Sequence, residues 1–251
     1  MRRRKLFQKE RNAEYDHLVT YESPLSYTAE AFQKALVNLE YINVDGNFKV
    51  VQFTSTLAGA GKTTFISNVA HLIGKKGKKV VIVDLDLRKP KINRIFRAPN
   101  ENGVTDYLTG KIDYKTLVNY SEKFSVHYIV AGERTTAVVN VLEAQKLKDL
   151  IARLRTEFDY VLLDSPPTIA VSDALYISRL ADGVLFVVAQ NETKRTVINE
   201  AIQTLKQNKV NIIGIAFTQV DVKNSDLLSY TYGYGYGYNS SLQDDLDKEK
   251  S

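Results

Sequence analysis

The sequence predicts an α/β fold, a mostly parallel sheet flanked by helices, and three observations carry that prediction. Short apolar runs, such as 80–83 and 184–189, are bounded by charge or glycine and read as buried strands. The stretches between them carry helical periodicity, so strand and helix alternate along the chain. A Gly-Lys-Thr sequence stands where the first strand meets the first long helix.

The elements follow in order. Residues 1–25 are polar and basic, with a turn signal at Glu22-Ser23-Pro24, and read as an N-terminal tail. From 26 to 41 the residues Ala29, Phe32, Leu36 and Leu39 fall on one helical face, and Asp45-Gly46-Asn47 ends the pattern. Strands are expected at 49–54, 80–84, 126–130, 160–164, 184–189 and 212–217. Helices are expected at 62–75, 105–108, 142–157, 174–180 and 193–207. The expected domain runs from 26 to 221. Residues 222–251 then form a flexible tail holding the low-complexity run Tyr-Thr-Tyr-Gly-Tyr-Gly-Tyr-Gly-Tyr at 230–238.

Composition narrows the function classes. The 251 residues are 44% hydrophobic, enough for one sizeable core. There is no cysteine, which excludes disulfides, zinc-thiolate sites and cysteine nucleophiles. His17, His71 and His127 are too scattered for a histidine metal motif. A net charge of +5 does not argue for a nucleic-acid partner, and none is expected. No apolar run approaches the roughly 20 residues of a membrane helix. Arg2, Arg3, Arg4 and Lys5 lack the apolar stretch of a secretory signal, so a cytoplasmic location is expected.

The segment Ser55-Thr56-Leu57-Ala58-Gly59-Ala60-Gly61-Lys62-Thr63-Thr64 has the composition of a phosphate-binding loop. Gly59 and Gly61 let the backbone turn its N–H groups inward around phosphate oxygens, and the following helix adds positive potential. Gly59, Ala60, Gly61, Lys62, Thr63 and Thr64 are thus the expected ATP-binding residues. Lys62 faces the β- and γ-phosphates, and the Thr63 hydroxyl is placed to ligate Mg²⁺. Two strand-end acidic motifs follow. The first is Asp84-Leu85-Asp86-Leu87-Arg88-Lys89-Pro90, whose carboxylates, two apart on an extended backbone, would point the same way. The second is Asp164-Ser165-Pro166-Pro167. Aspartates at such strand ends hold Mg²⁺ directly or through water.

The set of Gly-Lys-Thr-Thr, Asp-x-Asp-x-Arg-Lys-Pro, Asp-Ser-Pro-Pro and the tyrosine tail resembles the bacterial tyrosine kinases of capsule and exopolysaccharide synthesis. These are P-loop NTPases of the Mrp/MinD-related group. The resemblance covers roughly residues 26–238. Asn102-Gly103-Val104-Thr105-Asp106-Tyr107-Leu108 and Asp173-Ala174-Leu175…Ala181-Asp182-Gly183-Val184 add to it. It implies that Lys62 and Thr63 bind phosphate and Mg²⁺, and that Asp84 lies near the attacking tyrosine as the candidate base. It also implies that Asp86 and Asp164 organise Mg²⁺ and that Arg88 stabilises transferred charge. The implied acceptors are Tyr230, Tyr232, Tyr234, Tyr236 and Tyr238. The implied partners are a transmembrane polysaccharide co-polymerase that activates the kinase at the inner face of the plasma membrane, and a cognate phosphotyrosine phosphatase. Arg2–Lys5 read equally as a lipid contact or a solvated tail.

The chain departs from the family pattern at several positions. Ala58 stands where proline is usual, and Thr218 replaces a base-contacting asparagine. Asn140 lacks its flanking prolines. Glu30 is followed by Gln33 and Leu36 where ring-forming relatives carry two arginines, so a homo-oligomeric ring held by that helix is expected to be weak or absent. Two other readings compete. A partitioning or positioning ATPase would carry a second lysine where this chain has Leu57. A nucleotide-binding, non-catalytic regulator would not need the intact Lys62, Asp84, Asp86 and Asp164.

Overall fold

A computed structural model describes residues 18–43, 48–168, 172–190 and 192–220. The expected tyrosine acceptors and Arg2–Lys5 lie outside the described residues. Strands β1 (Val50–Ser55), β2 (Val80–Asp84), β3 (Asn119–Ser121), β4 (Val126–Ile129), β5 (Tyr160–Asp164), β6 (Gly183–Ala189) and β7 (Ile212–Thr218) form one sheet in the order β3-β4-β2-β5-β1-β6-β7. All pairings are parallel except β3 with β4. The antiparallel edge was not expected, because Asn119-Tyr120-Ser121 carries no apolar run.

The central strands β1, β2, β5 and β6 are buried on both faces, as their near-continuous apolar sequences require. In β2, Val80 and Ile82 enter one core while Val81 and Val83 enter the other. Helices α1 (Val19–Glu22), α2 (Tyr27–Ile42) and α3 (Lys62–Lys75) cover the first core. Helix α4 (Ile92–Ile95) also packs into the first core, through Ile92 and Ile95, and the second core lies under α5 (Val104–Leu108), α6 (Tyr114–Leu117), α7 (Val138–Glu143), α8 (Gln145–Glu157) and α9 (Asp173–Ser178). Helix α10 (Arg195–Gln207) closes a smaller cluster against β6 through Ala201 and Leu205.

Two boundaries differ from expectation. The helix expected over 142–157 is two helices, broken at Ala144, whose φ −58° and ψ 132° leave the helical region. The packed part of the chain begins before residue 26. Thr20, buried, donates from its N–H and hydroxyl to Asn68 Oδ1 at 3.0 and 2.9 Å, and Asn68 Nδ2 donates to the Thr64 carbonyl at 2.9 Å. Helix α2 starts where the sequence indicates, with Ser26 Oγ accepting from the Ala29 N–H. On that helix Leu36 is a core residue and Glu30 pairs with Lys34 at 3.0 Å. Position 36 therefore faces the interior and offers no surface for a ring contact.

Gly74 sets how closely α3 approaches the turn between β3 and β4. A Cβ there would lie 2.0 Å from the Ser125 carbonyl oxygen. Gly74→Ala is expected to destabilise the fold by about 1–3 kcal/mol, since overpacking against backbone outweighs the roughly 1 kcal/mol of helix propensity gained. Urea unfolding checks this, and an unchanged midpoint would contradict it.

Candidate active site

The site lies at the C-terminal ends of β1, β2 and β5, where open parallel sheets bind ligands. The loop after β1 needs two left-handed residues, and glycine supplies both: Gly59 has φ 89° and Gly61 φ 77°. Gly61 is the residue before α3, so Lys62 opens the helix. The loop is braced from the far strand end. The Thr218 hydroxyl donates to the Ala60 carbonyl at 2.7 Å, and Gln219 Nε2 donates to the Gly59 carbonyl at 2.9 Å. Thr218, which replaces the family's base-contacting asparagine, therefore grips the phosphate loop.

The residues named from the sequence converge here. Thr63 Oγ1 donates to Asp164 Oδ2 at 2.7 Å. The second oxygen, Asp164 Oδ1, is buried without a hydrogen-bond partner. A buried carboxylate oxygen left bare beside a hydroxyl and a lysine matches a site that completes itself with Mg²⁺ and phosphate oxygens. Asp84 is fully buried. Its Oδ1 accepts from the Asp86 N–H at 3.1 Å, and its Oδ2 from the N–H groups of Lys91 and Ile92, each at 3.0 Å.

The reason given for Asp84 and Asp86 acting together needs correction. Strand β2 ends at Asp84, so alternation on an extended backbone does not align the two carboxylates. A turn carries Asp86 instead, with its Oδ1 accepting from the Lys89 N–H at 3.1 Å. Arg88 is turned toward a partner that the motifs did not single out for a role. Its Nε and Nη2 donate to Asp173 Oδ2 and Oδ1 at 2.7 and 3.1 Å. Asp173 is buried at the start of α9, and the sequence named it only within a supporting stretch. Gln52 Nε2 ties that helix to the site, donating to the Ala174 carbonyl and to Ser165 Oγ, both at 2.9 Å.

Burial sets the electrostatics. It raises Asp84 well above the ordinary carboxylate range, with the Asp164 charge adding to the effect and the backbone N–H groups opposing it. Burial raises Asp86 as well, opposed first by Lys62. Asp164 is pushed up to about 6 by burial, against the pull of Lys62 and the Thr63 hydroxyl. A group whose folded value exceeds its unfolded 3.8 costs stability as pH rises through that window, because the folded state binds the proton more tightly. Asp164→Asn removes that cost. The stability of the variant relative to wild type should therefore rise between pH 4 and pH 7 by up to about 3 kcal/mol, as chemical unfolding of the nucleotide-free protein would read. A difference constant with pH would contradict this.

Other expected motif residues hold the frame. Asp106 accepts from the Gly103 N–H at 2.9 Å, and the Thr105 hydroxyl donates to the Ala131 and Glu133 carbonyls. Asp182 Oδ2 accepts from the N–H groups of Lys49 and Val50 at the opposite end of the sheet, and its other oxygen pairs with Arg155. No group of three or more His, Asp or Glu side chains among the described residues could hold a metal alone. The expected Mg²⁺ site differs, being the Thr63 hydroxyl, the two aspartates Asp86 and Asp164, and the nucleotide's own oxygens.

Residues 48–216, more than half of the chain, match the AAA domain family. The chain belongs to that family. Its curated relatives include the tyrosine-protein kinase YwqD of Bacillus subtilis, 29% identical over 79% of this chain and 84% of that protein. The putative tyrosine-protein kinase CapB of Staphylococcus aureus is 24% identical over 85% of this chain and 94% of its own length. The chain spans only 30% of another relative, the putative tyrosine-protein kinase AmsA of Erwinia amylovora. Among solved structures, the kinase domain of the Escherichia coli tyrosine kinase ETK superposes with a TM-score of 0.80 at 25% identity, over 83% of this chain and 82% of that one. The cell division ATPase MinD of Pyrococcus furiosus shares the fold, with a TM-score of 0.59 at 23% identity over 71% of this chain and 74% of that one. The resemblance to bacterial tyrosine kinases of the Mrp/MinD-related group, drawn from the motifs, agrees with these relatives.

Proposed function

We propose that this protein is a protein-tyrosine kinase of the bacterial P-loop type that uses Mg²⁺–ATP to phosphorylate its own C-terminal tyrosines, and that it serves capsule or exopolysaccharide synthesis. The observation that carries the reading is the Thr63–Asp164 hydrogen bond, with the bare Asp164 Oδ1 beside it at the mouth of the phosphate loop. When bound, Mg²⁺ supplies charge neutralisation for phosphoryl transfer. The chain's own residues supply the rest. The N–H groups of 59–64 and the Lys62 ammonium hold phosphate. Thr63, Asp164 and Asp86 hold the metal. Asp84, whose burial raises its affinity for a proton, accepts the one leaving the tyrosine hydroxyl. Arg88, fixed by Asp173, is the stabiliser of transferred charge in this reading.

The name of one relative, a putative tyrosine-protein kinase in the cps region of Klebsiella pneumoniae, supports the polysaccharide role. The activating membrane partner and the opposing phosphatase follow from the motif resemblance alone. No helix among the described residues is long and apolar enough to cross a membrane. In this reading a membrane co-polymerase brings the kinase domain to the inner face of the plasma membrane.

After incubation of the purified chain with Mg–ATP, mass spectrometry should find phosphate concentrated on Tyr230, Tyr232, Tyr234, Tyr236 and Tyr238. Replacing all five by Phe should remove most of it while leaving an added substrate phosphorylated. Phosphate found mainly elsewhere, or on serine and threonine, would overturn the acceptor assignment.

A further inference from the structure

The outer edge of β7 is unpaired among the described residues, and a groove of about 1210 Å³ opens beside it against α2. The groove exceeds the roughly 300–1,000 Å³ of small-molecule sites and has the dimensions of a chain segment. Its walls are mostly apolar and aromatic, including Tyr27, Ile42, Ile215, Phe217 and Val220, with Glu22, Lys34 and Asn38 among the polar residues, and one end reaches Gly61 behind the phosphate loop. Ile215 and Phe217 are exposed at 46% and 59%, an unusual display for an edge strand.

We propose that this groove and edge are the docking site of the chain's own segment 227–238, which adds to β7 as an antiparallel strand while its tyrosines are unmodified. The last described residue, Val220, itself lines the groove, so the following segment starts at the site. An antiparallel strand begins where β7 ends, so residues 221–226 need only turn back, and the twelve residues 227–238 then reach up to about 40 Å against about 23 Å for the length of β7. The sequence of the segment matches such an edge. In an extended chain, residues two apart share a face. Tyr230, Tyr232, Tyr234, Tyr236 and Tyr238 would then all line one side, with Thr231, Gly233, Gly235 and Gly237 on the other. Main-chain hydrogen bonds to β7 would supply affinity and the aromatic face would fill the groove. A phosphate on a docked tyrosine adds about −1.5 to −2 charge, which an apolar groove excludes. Docking therefore withdraws unmodified acceptors from solution, and modification keeps them out. The docking itself does not rest on the kinase reading.

Two measurements on the full chain test it, without nucleotide. Amide hydrogen exchange at 213–218 should be about tenfold faster when all five tail tyrosines are changed to Ser than in wild type. The chain has no tryptophan, so Phe217→Trp provides a lone reporter. Its emission should be blue-shifted with the native tail and red-shifted with the five serines, equally at low and high protein concentration. Unchanged exchange in the serine variant would overturn the proposal. So would protection that appears only at high concentration, which would place a second copy in the groove.

Discussion

Lys62→Met is expected to lower tyrosine phosphorylation by about 10²-fold or more, the usual cost of removing a charge that clamps transferring phosphate. The structure adds a second consequence. Lys62 is 7% exposed, and its charge is the first influence holding down both Asp86 and Asp164 against burial. Its loss leaves Lys91 as the remaining cation that lowers them, so Asp164 should titrate above about 6. The variant should still fold, with a lower stability near neutral pH than at pH 4. Phosphotransfer rates and a pH series of unfolding curves check the two parts. A wild-type rate would show that Lys62 does not hold the phosphate.

Asp84→Asn should cost about 10²–10⁴ in rate, as expected for loss of a general base. Both Asp84 oxygens accept backbone N–H groups, so the amide must turn its own N–H₂ toward one of those donors. A stability loss of about 1–3 kcal/mol should accompany the rate loss. Binding of a fluorescent nucleotide separates the two effects. Retained binding with lost transfer places Asp84 in the chemistry, whereas retained transfer would remove it from that role.

Much of the fold was legible because its causes are local. A parallel sheet buried on both faces demands continuous apolar strands, and these stand out in the runs ending at Asp84, Asp164 and Ala189. The phosphate loop was legible for a similar reason, since glycine adopts the left-handed turns found at Gly59 and Gly61 without the cost that a side chain imposes. What escaped depends on residues distant in sequence or lacking a pattern. Strand β3 is three residues with a polar character, held only by pairing with β4. The break at Ala144 occurs within a stretch free of glycine and proline, so composition gave no warning. Arg88 finds Asp173 across 85 residues, and Thr218 finds Ala60 across 158. Periodicity cannot report such pairs. The packing of Thr20 on Asn68 is of the same kind, and it carries residues 18–22 out of what reads as a polar tail.

The fate of the γ-phosphate tests the central claim most directly. The purified full chain is incubated with Mg²⁺ and γ-labelled ATP, and ADP, inorganic phosphate and protein phosphotyrosine are quantified together, with Asp84→Asn and chelated Mg²⁺ as controls. A tyrosine kinase built on this site should form phosphotyrosine in step with early ADP production, and lose it in both controls. ADP and inorganic phosphate released with no phosphotyrosine would instead make the protein a nucleotide-hydrolysing switch and contradict the account.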